Sequence, residues 1–262
     1  MKKNKFKTID IVVIGLVLLF VYLPIVSLII FSFNSDNSLT NFKSFSFRWY
    51  GELFKDEAIM ETVIMTFVIA ILATVISTII GTFASIALAR HKKGFRNAVL
   101  TINNIPIVNP EIVTAIGMLL LFQSLKMDKG YFTMLLAHIA FCLPYVIISV
   151  YPKVRSLDPN LVEAAMDLGA TPIKALRHAI LPQIKVAIVA ALAISFTMSF
   201  DDFVISYFTA GSKTNISIYL YTLKRGVNPS INALSTIMIF IITIVVVINY
   251  IRTVKSVKRE EV

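Results

Sequence analysis

The chain of 262 residues is 57% hydrophobic and only 15% charged, with 25 Lys and Arg against 15 Asp and Glu. A soluble domain of this size carries about 25% charged residues, so the composition describes a membrane protein. A single cysteine, Cys142, excludes an intramolecular disulfide, and three scattered histidines (His91, His138, His178) have no metal-ligand spacing.

At the N-terminus, MKKNKFKT leads into an apolar run of more than twenty residues with no small-residue cleavage site. That pattern predicts an uncleaved first span and not a signal peptide. Six hydrophobic segments, near 9–32, 60–89, 98–122, 131–151, 184–208 and 232–251, are long enough to cross about 30 Å of hydrocarbon. They predict an all-α membrane protein with six transmembrane helices, residues 1–262 forming one polytopic membrane domain. Between the first two lies FSFRWY (45–50) with the only tryptophan, Trp49. It suits an interfacial anchor, or a cation–π contact at the entrance to a substrate path. The second segment is long enough to tilt or to project from the membrane. The third is interrupted by NNIPIVNPEIV (103–113), which carries two prolines and Glu111. Such a break is tolerated where protein or a water-filled cavity satisfies the freed backbone groups.

The basic residues set the orientation. The N-terminus, 90–97, 152–185 and the C-terminal tail together hold 17 of the 25 Lys and Arg, against 8 in 33–59, 123–130 and 209–231. The excess of positive charge on one side puts both termini and 152–185 in the cytoplasm of a multi-pass plasma-membrane protein. The net charge of +10 is therefore topological, and nucleic acid drops out as a partner.

The segment SLDPNLVEAAMDLGATPIKALRHAILPQ (156–183) is the most informative cytoplasmic stretch. Asp158 before Pro159 reads as an N-cap with proline at the first helical position. Leu161, Ala164, Ala165 and Leu168 follow helical spacing and predict one small apolar stripe, with Asn160, Glu163 and Asp167 on another face. Gly169 ends that helix in a left-handed conformation, where a valine would clash at the helix terminus. Thr171–Pro172 starts a second short helix, and Leu181–Pro182 leads into the next span.

In that span, Asp201 and Asp202 stand side by side within an otherwise apolar run. Each aspartate near the bilayer centre costs roughly 2.5–3.5 kcal/mol even on the lenient insertion scale. Glu111 lies at comparable depth, and no Lys or Arg at that depth within the spans balances the three acids. They predict a negative site for a passing cation, with Ser199 as a hydroxyl beside the same path. The competing reading is that they are hydrogen-bonded within the bundle or sit at the outer interface.

Two stretches carry a family resemblance. EAAMDLG (163–169), followed by Leu181–Pro182 after eleven residues, resembles the EAA loop of permease subunits in binding-protein-dependent (type I) ABC importers. The resemblance implies a coupling helix in which Glu163, Ala164, Ala165 and Gly169 dock on a cytoplasmic ATPase, within a transmembrane type-1 core of residues 60–251. One departure is Ala179, where the family usually has isoleucine. AISFTMSFDDFVISYFTAG (193–211) and KRGVNPSINALSTI (224–237) look like the second permease subunit of prokaryotic spermidine/putrescine importers. This implies polyamine as substrate, a second and different permease subunit, two ATPase subunits and an extracytoplasmic polyamine-binding protein. The chain has no G-x-x-x-x-G-K-[ST] phosphate loop, so it is expected to be a non-enzyme that binds no cofactor or metal, with ATP used by the partner. Two alternatives stay open: the same architecture importing another substrate, and an ion-coupled secondary transporter using the acids for protons.

Overall fold

The computed structural model describes residues 8–38, 40–223 and 229–260. The basic N-terminal residues through Lys7, and Lys224–Asn228 of the second family-like stretch, lie outside them. The described residues form helices α1 (Thr8–Ser32), α2 (Arg48–Lys55), α3 (Glu57–Arg90), α4 (Lys93–Val108), α5 (Glu111–Ser124), α6 (Tyr131–Arg155), α7 (Leu161–Asp167), α8 (Pro172–Ala175), α9 (Leu181–Phe200), α10 (Val204–Thr209), α11 (Ile216–Thr222) and α12 (Pro229–Glu260). A π turn, Leu176–Ile180, joins α8 to α9. The chain divides into two compact units, residues 1–60 with 223–262, and residues 61–222.

In the first unit α1 and α2 both pack on α12. The loop between α1 and α2 is organised by buried Asn34. Its Nδ2 donates to the carbonyls of Ser38 and Asn41, each at 2.9 Å, and its Oδ1 accepts from the Lys43 N–H. Buried amides of this kind hold a loop in one shape because every polar group finds a partner.

In the second unit α6 is the central element, packed along α9 and against α4 and α10. Val146, Val150 and Val154 of α6 share a buried cluster with Ile180, Ile184 and Ala191. A second cluster joins Ala137, Phe141 and Cys142 of α6 to Ala115 and Phe122 of α5 and to Ile205 of α10. α3 can approach α6 closely because residue 81 is glycine: a Cβ there would meet Val146 Cγ1 at 2.5 Å.

Among the described residues, four helices are long and apolar enough to cross a bilayer: Asp10–Ser32, Glu57–Arg90, Tyr131–Arg155 and Pro172–Phe200. α4 and α5 form a fifth candidate, but they meet at a bend of 107°. The break expected from the two prolines is thus an elbow at Asn109–Pro110, both extended, with Glu111 opening the second half-helix. Pro229–Ile244 is a shorter apolar stretch at the start of α12. The fifth predicted span, 184–208, is not one helix. α9 ends at Phe200 and α10 begins at Val204, so the two aspartates occupy a break.

Candidate functional site

That break is made by the carboxyl group of Asp202. Its Oδ1 accepts from the Ile205 N–H at 3.2 Å, and its Oδ2 accepts from both the N–H and the hydroxyl of Ser206 at 2.8 Å. These are the orphan donors of a new helix N-terminus, and a carboxylate satisfies them as a cap does. Asn215 braces the same corner. Its Nδ2 donates to Ser206 Oγ at 2.8 Å and to the Asp202 carbonyl at 3.3 Å, while its Oδ1 caps α11 through the Ile218 N–H. Asp202 and Asn215 are both buried.

Asp201 differs from its neighbour in every respect. It is exposed, with φ −97° and ψ 0°, and only its backbone is engaged: its N–H donates to the Thr197 carbonyl at 3.4 Å and its carbonyl accepts from the Ser217 hydroxyl at 3.3 Å. From α5, exposed Glu111 brings its carboxyl group against that of Asp202, within the field of Asp201. The three acids foreseen in the sequence therefore meet at one place, as one buried cap and two exposed groups. Among the described residues no cluster of three or more His, Cys, Asp or Glu has metal-holding geometry.

Ser199 is buried, and its hydroxyl lies 2.7 Å from His138 Nδ1 instead of lining an open surface. Trp49 belongs to the first unit. It is buried, its indole N–H donates to the Asn34 carbonyl at 2.6 Å, and the Arg48 guanidinium covers its ring at 4.8 Å. A cation thus already occupies that ring. Sequence reasoning missed His138, Ser206 and Asn215, all fully or almost fully buried around Asp202. The available signal was one polar residue, His138, in an apolar helix, and an asparagine preceding ISIY at a helix start.

The second site is the loop after α6. α7 begins at Leu161 with Asn160 as cap residue, two positions later than expected, because Asp158 Oδ1 closes a turn onto the Asn160 N–H at 2.9 Å. Its end follows the sequence reading. Gly169 has φ +85°, its N–H bonds to the Met166 carbonyl, and the Ala170 N–H bonds to the Ala165 carbonyl, the paired bonds of a Schellman motif. A Cβ at Gly169 would meet nothing within 4 Å, so a substitution there strains the backbone and does not clash. Thr171 Oγ1 accepts from the Lys174 N–H at 3.4 Å and caps α8.

The expected single stripe splits in two. Leu161 and Val162 pack inward on the Val154 and Ile180 cluster, and Ala165 is half-buried. Glu163, Ala164 and Asp167 are exposed, with Leu168 at 90% and Ile173 at 78% exposure forming an apolar tip. Beneath α7 lies a cleft of about 520 Å³, lined by Arg90, Arg155, Asp158 and Glu163 among apolar side chains. The capped turn thus carries leucine and isoleucine outward at its tip.

The profile of the family described as binding-protein-dependent transport system inner membrane component matches residues 77–255. The putrescine transport system permease protein PotI of Escherichia coli (strain K12) is 38% identical over 245 residues, covering 90% of this chain and 87% of its own length. The spermidine/putrescine transport system permease protein PotC of Haemophilus influenzae is 37% identical over 239 residues, covering 90% and 93%. In fold, the chain superposes with a TM-score of 0.74 on a bacterial ABC transporter involved in the import of the acidic polysaccharide alginate, at 17% identity and 94% coverage of each chain. The helical architecture, the capped loop and these matches agree: the chain belongs to the family of binding-protein-dependent inner-membrane transport components and is a multi-pass permease subunit of the ABC importer kind.

Proposed function

We propose that this permease forms part of the membrane path for polyamines of the spermidine and putrescine type. The observation that carries the reading is the convergence of Asp201, Asp202 and Glu111 at one helix break beside an elbow. A polyamine carries ammonium groups several ångströms apart, and losing its hydration on entering a membrane path requires replacement by fixed negative groups. Asp201 and Glu111 are the exposed members that meet the substrate, and Asp202 holds them in place. Ser199 supports the path from behind and Trp49 fixes the outer loop. The relatives named for putrescine and spermidine support this choice. The fold by itself does not choose it, since the same architecture serves an importer of an acidic polysaccharide.

The full assembly in this reading contains a second, different permease subunit, two ATPase subunits and an extracytoplasmic polyamine-binding protein. α1 and the membrane core of residues 60–251 together cross the bilayer six times, with both termini cytoplasmic and α12 as the last crossing. Glu163, Ala164, Ala165 and Gly169 dock the loop on the ATPase. This chain binds no cofactor, and ATP is hydrolysed by the partner.

The test is uptake of labelled spermidine and putrescine by the purified complex in liposomes. The expected result is uptake that needs ATP inside and binding protein outside. Polyamine uptake without ATP would instead favour an ion-coupled secondary transporter, and ATP-driven uptake of a neutral or anionic solute alone would favour another substrate in the same architecture.

A further inference from the structure

His138 of α6 is completely buried, and its two ring nitrogens reach opposite sides of the α9–α10 break. Nδ1 lies 2.7 Å from the hydroxyl of Ser199, the penultimate residue of α9. Nε2 lies 2.9 Å from the hydroxyl of Ser206 in α10 and 3.4 Å from Asp202 Oδ2. One imidazole therefore bridges two helices that the chain itself joins only through three non-helical residues, 201–203.

Counting donors fixes the direction of each bond. Ser206 has one hydroxyl proton, and its 2.8 Å bond to Asp202 Oδ2 uses it. Asn215 Nδ2 also donates to Ser206 Oγ, and the Asn215 amide cannot be reversed because its Oδ1 accepts from the Ile218 N–H. Nε2 must then donate to Ser206, so in the neutral ring it carries the hydrogen and Nδ1 accepts from the Ser199 hydroxyl. With an imidazole at this position both serine hydroxyls and both ring nitrogens have partners. A phenylalanine would fill the volume and leave Ser199 without that bond.

We infer that His138 is a positioning residue for transport: it clamps the α9–α10 break so that Asp202, and with it Asp201 and Glu111, keeps its place in the path. His138 does not itself meet the substrate, being sealed behind the carboxylates. The inference rests on the reading that these acids line the path.

The experiment compares His138→Phe, which keeps the ring volume and removes both nitrogens, with His138→Gln, which keeps one donor and one acceptor. Spin labels at positions 194 and 207, both exposed, report the distance across the break in the assembled complex, native Cys142 being buried. Expected are a narrow distance distribution in the wild type and in His138→Gln, and a broad one in His138→Phe. The maximal rate of spermidine uptake per complex should fall roughly tenfold or more in His138→Phe, because small misplacement of a path group is costly. The half-saturating concentration should stay unchanged, and Gln should recover most of the rate. A narrow distribution in His138→Phe, or a normal rate despite a broad one, overturns the clamp. Should His138→Phe not assemble, Ser199→Ala cuts the same bridge with little loss of volume and is read by the same criteria. A wild-type complex that moves no polyamine would overturn the proposed substrate instead, and the label distances would still decide the clamp.

Discussion

Replacing each aspartate of the pair by asparagine separates their roles. The Asp202 carboxyl group uses one oxygen for the Ile205 N–H and the other for the N–H and hydroxyl of Ser206. Asparagine offers a single oxygen, so one of the two backbone N–H groups loses its acceptor and faces an NH2 group. A buried donor left unpaired costs about 1–3 kcal/mol. In a chain of this size that corresponds to a fall in melting temperature of roughly 2–12 °C. Asp201, exposed and with no side-chain hydrogen bond or ion pair among the described residues, gives no such loss. Its removal from a path for cations should lower uptake per assembled complex about tenfold, near 1.4 kcal/mol of transition-state stabilisation. The assay is a thermal melt of the purified complex alongside spermidine uptake normalised to complex in the membrane. A destabilised Asp201→Asn with normal transport, together with an Asp202→Asn of native melting temperature, would refute the division of labour.

At the docking loop, Gly169→Val should reduce ATPase co-purification because φ +85° is strained for a β-branched residue, and Gly169→Asn, which tolerates the left-handed region, should retain most of it. Leu168→Asp should leave folding and membrane insertion intact, since the side chain is 90% exposed, yet weaken ATPase association at least tenfold in pull-down titrations. Gly81→Val should lower the yield of folded protein, measured by size-exclusion of detergent extracts, because its side chain would enter the space of Val146. Impermeant thiol reagents applied from outside should label cysteines placed at 40 and 213 but not at 94 or 167; position 215 is unsuitable because Asn215 is buried and caps α11. Labelling at 167 from outside would overturn the orientation of the loop.

Much of the fold is written in local patterns, and those were legible. Apolar length announces the spans, the Pro106 and Pro110 pair announces the elbow, and Gly169 with Thr171–Pro172 announces the turn between α7 and α8. Each depends on residues within one turn of the feature. The break at 201–203 was not legible because it contains neither proline nor glycine, and the run through it is apolar on both sides. Asp202 makes it by capping α10, and it is braced by partners far away in the chain, His138 on α6 and Asn215 before α11, which no periodicity reveals. The same holds for the outward turn of Ala164 and Leu168. Which half of the α7 surface is covered depends on Val154 and Ile180, and spacing alone treats both halves alike.

The π turn at Leu176–Ile180 preserves helical continuity where a proline would be expected to interrupt it. The Leu181 N–H reaches back five residues to the Leu176 carbonyl, beside Pro182, which has no N–H to give. Pro172 to Phe200 therefore runs as one helical rod of 29 residues, about 43 Å long at 1.5 Å per residue. One end follows directly from the exposed apolar tip of the loop, and the other carries Asp201. Pivoted at the tip, a tilt of about 5° over that length sweeps the far end through about 4 Å, as long as the contact between an ammonium and a carboxylate. If Asp201 meets an ammonium as proposed, a tilt of that size is enough to make or break one ion contact.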